Sequence, residues 1–311
     1  MESLMEKSDY GALLKKIVER NMVYNKLGKV ASYIPALARS NPEDIGISLW
    51  DVDGNIYSYG DYDKKFTIQS ISKVVGLIIG LMDHGEDYIF NKLSVEATRE
   101  AFDFVEGSLE KLDNPMTNAG AITICSLIKG DNSEEKLERV LSFTRKLCGN
   151  ENIGINHKVF LSEKETGNKN KSIAYLLKSM GKIQGDLDEI LDLYFKQCSI
   201  EVSARDLAHM GLIIANKGVN PETNEEIFPK ALAKTIQAAM TIFGMYNESG
   251  KYFLDVGLPS KSGVGGGIMA LVPNTMGIGV YSPALNERGN SIVGIEVLKD
   301  LSKELSLHLL G

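Results

Sequence analysis

Cysteine is scarce in this sequence, and that scarcity bounds the chemistry first. The 311 residues include only Cys125, Cys148 and Cys198. An odd count without a C-x-x-C pair supports neither a disulfide framework nor a cysteine zinc site. Core packing is the expected role of all three, and a reducing cytoplasmic location fits that usage. Histidine is scarce too. His84, His157, His209 and His308 form no H-E-x-x-H and no paired spacing. That excludes a zinc-hydrolase motif and leaves a Ser-His-Asp triad without an obvious base. No metal and no cofactor are expected. Basic charge is not in excess: 34 Lys and Arg against 41 Asp and Glu give a net charge of -7. A nucleic-acid partner held by a basic surface is therefore not expected. The longest apolar run, Val74 to Met82, is too short to span a bilayer. Residues 1–9 lack the apolar centre and cleavage site of a secretion signal. There is no internal repeat, long linker or low-complexity segment.

What is there reads as an ordinary globular chain, 43% hydrophobic and 24% charged, with one sizeable core. Leu13, Leu14, Ile17, Val18 and Met22 share one face of a helix over residues 9–25. Residues 45–50 and 55–59 alternate around Asp53-Gly54, a preferred two-residue turn, and so read as a hairpin. Phe66-Thr67-Ile68 reads as a short strand. From about Glu96 to Met240 the chain reads as mostly helical, and Ser203 with Asp206 resembles a capping box. Near the end, residues 268–272, 276–281 and 291–297 read as strands, followed by a helix from about Leu298 to Leu309. Strands at both ends and helices between them predict an α+β fold. One antiparallel sheet is built from both chain ends, and the middle forms a helical part.

Ser70-Ile71-Ser72-Lys73 is the segment that suggests chemistry. It reads S-x-x-K and opens the apolar run. In a helix, Ser70 and Lys73 share a face, with Ser70 in the first turn, where free N–H groups favour negative charge. A serine hydroxyl is a weak nucleophile, and a lysine of lowered pKa is one base that activates it. The plain alternative is a capping serine beside a solvated lysine. Downstream, Lys261-Ser262-Gly263 supplies K-[ST]-G at an expected edge strand. S-x-x-K followed by K-[ST]-G is the order found in penicillin-recognising serine enzymes. Gly265 to Ala270 also matches G-x-G-x-x-A, but a strand follows it where a dinucleotide site needs a helix. The glycines instead suit close backbone approach, letting a main-chain N–H such as that of Val264 face a substrate oxygen, or else a bulge at the start of a strand.

Longer strings point further. Residues 69–73 (QSISK), 114–122 (NPMTNAGAI), 163–170 (EKETGNKN), 194–201 (YFKQCSIE), 244–246 (GMY) and 257–264 (GLPSKSGV) together resemble the serine-dependent glutaminases. The likeness runs from about Tyr33 to the C-terminal strands. It implies a β-lactamase-like fold in a single domain over 1–311. The α/β part would lie at about 1–95 and 245–311, and the helical part at about 96–244. It implies hydrolysis of L-glutamine to L-glutamate and ammonia, without a cofactor and by a homo-oligomer. It also implies Ser70 as nucleophile and Lys73 as its activating partner. Asn118, Glu163, Asn170, Tyr194, Tyr246 and the main chain of Val264 would line the glutamine site, with Tyr33 and Gln69 at pocket positions. Tyr194 and Tyr246 are then candidate proton relays. Glu163 suits an α-ammonium, and the two asparagines suit the α-carboxylate. The rivals are a β-lactamase or carboxypeptidase, disfavoured by the missing S-D-N motif, and a binding module that has lost its chemistry.

Overall fold

Two alternating segments near one end of the chain pair with three near the other, and this gives the protein its centre. A computed structural model describes residues 10–96, 112 and 114–311. Strands β1 (Gly46–Asp51), β2 (Ile56–Gly60), β5 (Ser260–Ser262), β6 (Gly267–Val272) and β7 (Met276–Tyr281) form one antiparallel sheet in the order β2-β1-β7-β6-β5. Strands β3 (Phe66–Thr67) and β4 (Glu201–Val202) pair separately. The expected hairpin is present, with a different turn. The Asp51 carbonyl accepts from the Gly54 N–H, and Gly54 stands at φ 85°. Gly54 thus follows the turn in the left-handed region, as in three-residue hairpin loops, and Asp53-Gly54 is not itself the two-residue connection.

Side-chain alternation divides the core. Ile268 and Ala270 of β6, with Ile278 and Val280 of β7, face helices α1 (Tyr10–Asn21) and α12 (Ile292–Glu304). Met269, Leu271 and Tyr281 face the helical side. Residues 291–297, expected as a strand, are instead the start of α12. Ser291 caps this helix by accepting from Gly294 N–H. Val293, Val297, Leu298 and Leu301 then repeat at helical spacing and are fully buried. The β-branched residues favour strand in isolation, but tertiary burial of one stripe prevails.

Helix α9 (Ala204–Ala215) lies directly on β7, although it belongs to the stretch read as the helical part. Two glycines permit this. A Cβ on Gly279 would stand 1.8 Å from the Ala204 carbonyl oxygen, and one on Gly277 2.0 Å from that of Ala208. The capping box that starts α9 is formed as expected by Ser203 and Asp206. The remaining helices among the described residues are α2 (Ser72–His84), α3 (Glu86–Lys92), α4 (Asn118–Leu127), α5 (Ser133–Cys148), α6 (His157–Thr166), α7 (Asn168–Ser179), α8 (Leu187–Cys198), α10 (Ala233–Phe243) and α11 (Ser249–Asp255). Helices α3, α4, α5 and α10 pack against the apolar α2, whose residues 72–81 are all buried, while α7 and α8 pack on α4, and α6 on α8. Part of the expected helical stretch, residues 97–111 and 113, lies outside the described residues. Edge strand β5 does not offer its outer side for pairing. Ser262 N–H donates to the Gly244 carbonyl just beyond α10 at 3.2 Å. No helix among the described residues is long and apolar enough to cross a membrane.

Candidate active site

Ser70 sits where strand gives way to helix. β3 ends at Thr67, and Gln69–Ile71 make a single 3₁₀ turn that runs into α2. Ser70 is therefore one turn ahead of the helix and not inside it. It does not cap α2, whose N-cap is Ile71 and makes no side-chain bond. Gln69 holds φ at 49°. For a non-glycine residue that is a strained geometry, of the kind that clusters at functional sites. Ser72 has a structural job. Its hydroxyl donates to the Gln69 carbonyl at 2.7 Å and accepts from Gln197 Nε2 at 3.3 Å, which fixes the turn. The glycine-rich loop after β5 explains itself in the same place. A Cβ on Gly265 would come 2.3 Å from the Thr67 oxygen, and one on Gly263 2.6 Å from that of Ile68. The close approach is to the backbone leading into Ser70.

A pocket of about 370 Å³ opens at this turn. Its lining brings together Tyr33, Gln69, Ser70, Asn118, Glu163, Asn170, Tyr194 and Val264 from distant parts of the chain. Tyr33 is 57% exposed and stands at the mouth. Lys73 and Tyr246, the other two expected residues, lie behind Ser70 and outside the lining. Lys73 is buried, and its Nζ donates to Asn118 Oδ1 at 2.6 Å and to the Met116 carbonyl at 3.0 Å. Asn118 is the first residue of α4, where the Thr117 cap accepts from Gly120 N–H. Its Nδ2 donates to Asn170 Oδ1 at 2.7 Å, so a polar chain runs from the lysine to the far pocket wall. Val264 N–H makes no hydrogen bond to protein among the described residues.

Tyr246 is also held at positive φ, 54°. Its hydroxyl hydrogen-bonds Ser70 and donates to the Ser262 carbonyl at 3.3 Å. Burial pushes its pKa up to about 12, opposed by the side-chain hydroxyls of Ser70 and Ser262. Beside it is a residue that the sequence motif flagged and the expected site omitted. Lys261 is fully buried, donates to the Ser262 carbonyl at 2.6 Å, and places its nitrogen 4.2 Å from the centre of the Tyr246 ring. Among the described residues no carboxylate lies within ion-pair distance of it. Burial, with the nearby Lys73 charge, lowers its pKa well below the usual lysine value. A neutral amine at this position is a competent proton carrier.

Glu163 is the pocket's one buried carboxyl. It is 5% exposed, and its Oε2 has no hydrogen-bond partner among the described residues. Burial raises its pKa to about 8, against a hydrogen bond from Gln69 and the charge of Lys73. An unpartnered buried oxygen aimed into a cavity is a place for a ligand's cation. Thr166, Gly167 and Lys169 also line the pocket, within the string that carries Glu163 and Asn170. Cys198, expected only as core, lines it one turn beyond Tyr194, whose pKa burial raises strongly. Its position four residues after Tyr194 in α8 was the available signal. The acidic run from Asp186 to Asp192 lies outside the pocket lining and opens a helix, with Asp186, Asp188 and Glu189 exposed. Asp186 caps α8 by accepting from the Asp188 and Glu189 N–H groups, and Asp192 pairs with Lys164.

A glutaminase family model matches residues 28–310. The chain belongs to the glutaminase family. It is 50% identical over 301 residues to glutaminase 2 of Clostridium perfringens, covering 95% of this chain and 98% of that one. It is 48% identical to a Clostridium botulinum glutaminase, covering 96% and 99%. Among solved structures it is similar to a probable glutaminase from Bacillus subtilis complexed with 6-diazo-5-oxo-L-norleucine. That match has a TM-score of 0.90 and 39% identity, and covers 99% of each chain. A Bacillus subtilis glutaminase bound covalently to 5-oxo-L-norleucine, formed by reaction with 6-diazo-5-oxo-L-norleucine, matches at TM-score 0.89 and 40% identity. It covers 96% of this chain and 99% of that one. The glutaminase thus has the expected α+β, β-lactamase-like architecture, and the resemblance drawn from its motifs holds over nearly the whole chain.

Proposed function

We propose that this glutaminase converts L-glutamine to L-glutamate and ammonia through a glutamyl ester on Ser70. The carrying observation is the junction at Ser70. A buried tyrosine hydrogen-bonds one serine, a buried lysine follows that serine by three residues, and a second buried lysine stands against the tyrosine ring. The serine lines a pocket whose lining also holds a carboxyl with one unpartnered oxygen. Ser70 Oγ attacks the side-chain amide carbon of glutamine. Its proton passes to the amine of Lys73 or through Tyr246, which is hydrogen-bonded to it. The oxyanion faces the main-chain N–H groups of Ser70 and Val264; one such donor is typically worth about 3 kcal/mol in the transition state. The relayed proton goes to the departing nitrogen, and ammonia leaves. Water then attacks the ester, its proton returns through the same groups, and Ser70 is regenerated with glutamate.

Recognition follows the same layout. Glu163 takes the α-ammonium with its free oxygen. Asn170 and Asn118 orient the α-carboxylate, and Tyr194 closes the wall beside Cys198. Gln69 steadies Glu163, and Tyr33 covers the mouth. The covalent complex that the Bacillus subtilis relative forms on reaction with 6-diazo-5-oxo-L-norleucine supports nucleophilic chemistry in this family. The test is Ser70→Ala, assayed for ammonia release from glutamine with asparagine as control substrate. Turnover is expected to vanish while the circular dichroism spectrum and melting temperature are kept. Undiminished glutaminase activity in that variant refutes the reading. Nitrocefin hydrolysis by the parent enzyme would favour the β-lactamase rival instead. We further propose that the chain works as a single domain and as a cytoplasmic homo-oligomer. Leu254 and Leu310, each 80% exposed, support the oligomer as apolar surface to cover, and light scattering tests it.

A further inference from the structure

Tyr246 and Lys261 work only if two backbone segments stay in register: the 3₁₀ turn Tyr246–Glu248 and the end of β5. The turn is intrinsically unfavourable, because an aromatic residue at φ 54° resists it. Something must hold it. Part of the hold is local: Ser249 Oγ donates to the Tyr246 carbonyl at 2.9 Å and accepts from Met245 N–H at 3.0 Å. The rest comes from a residue far away in sequence. Asn290, in the loop between β7 and α12, is completely buried. Its Oδ1 accepts from Ser262 Oγ at 2.6 Å. Its Nδ2 donates to the Met245 carbonyl at 3.3 Å and to Glu248 Oε2 at 2.8 Å. One amide therefore ties the end of β5 to both sides of the strained tyrosine.

We propose that Asn290 is a positioning residue for the reaction, clamping the Tyr246 turn to the strand that carries Lys261. The proposal rests on the roles given above to Ser70, Tyr246 and Lys261. The amide orientation is fixed by its partners: the oxygen meets a hydroxyl and the nitrogen meets two acceptors. Glu248 is the outer anchor. Its Oε2 also accepts from Asn286 Nδ2 at 2.9 Å, and Arg288 lies 3.8 Å from its Oε1. Asn286 in turn holds the Asn290 N–H through its Oδ1 at 3.1 Å. Asn290 does not line the glutamine pocket, so its loss leaves substrate affinity alone and misplaces the proton relay.

The experiment measures kcat and KM for glutamine in Asn290→Ala, normalised to the fraction of enzyme labelled by 6-diazo-5-oxo-L-norleucine. A relay displaced by a fraction of an ångström predicts a loss of about 10- to 100-fold in kcat, with KM changed less than about twofold. Asn290→Asp, the same size but unable to donate to Met245 O, is expected to lose as much and serves if the alanine variant does not fold. Glu248→Gln keeps an acceptor for Asn290 and is expected to stay within about threefold of the parent. Adding Glu248→Ala to Asn290→Ala is expected to cost little more than Asn290→Ala alone, because both cut the same clamp. A kcat per labelled site within threefold of the parent in both Asn290 variants overturns the proposal. So does a rise in KM that matches the fall in kcat, or multiplying losses in the double variant. If Ser70→Ala loses all turnover while the Asn290 variants stay fully active, only this inference fails. If Ser70→Ala keeps its activity, the mechanism beneath it fails first.

Discussion

Glu163 should make this protein lose stability as the solution becomes more alkaline, and replacing it should remove that loss. Its carboxyl has an ordinary pKa of 4.5 in the unfolded chain and about 8 in the folded pocket, raised chiefly by burial. A carboxyl whose folded value is raised binds its proton more tightly in the native state. The stability it confers is complete below pH 4.5, declines as pH rises from there to about 8, and is then constant. The interval of 3.5 units between the two values corresponds to about 5 kcal/mol, at about 1.4 kcal/mol per unit. Glu163→Gln has nearly the same shape and no titration. The difference in unfolding free energy between variant and parent should therefore grow in favour of glutamine across that range. Urea denaturation of both proteins at pH 5, 6.5, 8 and 9 measures it, and other titrating groups cancel in the difference. The expected increments are about 2 kcal/mol for each of the first two steps and nearly nothing for the last. A difference that stays flat within about 1 kcal/mol from pH 5 to 9 refutes the buried, unpaired state of this carboxyl. In the proposed mechanism the same group gates binding. An α-ammonium needs the ionised form, so kcat/KM of the parent should rise with pH up to about 8. In Glu163→Gln the KM for glutamine should rise by about 30-fold or more, as a charged partner is lost.

Two further outcomes follow from the packing. Lys261→Met removes a buried amine that has no carboxylate partner among the described residues, so turnover should fall by about 100-fold or more while stability is unchanged or increased. Ammonia release beside a thermal melt checks this, and retention of half the activity would exclude Lys261 from the chemistry. Gly279→Ala forces a methyl to within 1.8 Å of the Ala204 carbonyl oxygen. The variant should lose about 3 kcal/mol or more in urea denaturation, since helix and strand must separate. A loss under about 1 kcal/mol would mean that α9 can shift freely on the sheet.

The site is readable in the sequence where chemistry keeps residue types at fixed spacing. Ser70 and Lys73 announce themselves through S-x-x-K, and Lys261 through K-S-G, although its place against Tyr246 needs the fold. Asn118, Glu163 and Asn170 cannot be drawn together by spacing. They stand on α4, α6 and α7, and only the family strings single them out. Taken one at a time, each passes for an ordinary polar residue, since a lone glutamate on a helix is usually solvated. The hairpin, α1, α9 and the C-terminal β6–β7 pair follow from periodicity, the strongest local signal. Residues 291–297 mislead because β-branched residues in a row favour strand locally, whereas Ser291 caps a helix whose apolar stripe fits the sheet. Asn290 carries no signal at all. A buried asparagine in a turn looks like any turn asparagine until its three partners are known.

The hydrogen bond from Ser262 N–H to the Gly244 carbonyl joins the proposed catalytic centre to the protein's solubility. An open edge strand is a template on which other chains can add, and β5 is such an edge. Here the end of α10 occupies it, and the chain then turns at once into Tyr246. Uncovering the edge requires pulling Gly244 away, which also draws Tyr246 off Ser70. Molecules able to seed intermolecular strand pairing at β5 are therefore already silent as catalysts. During ageing or mild heating, loss of turnover should coincide with or precede the first aggregates formed through this edge.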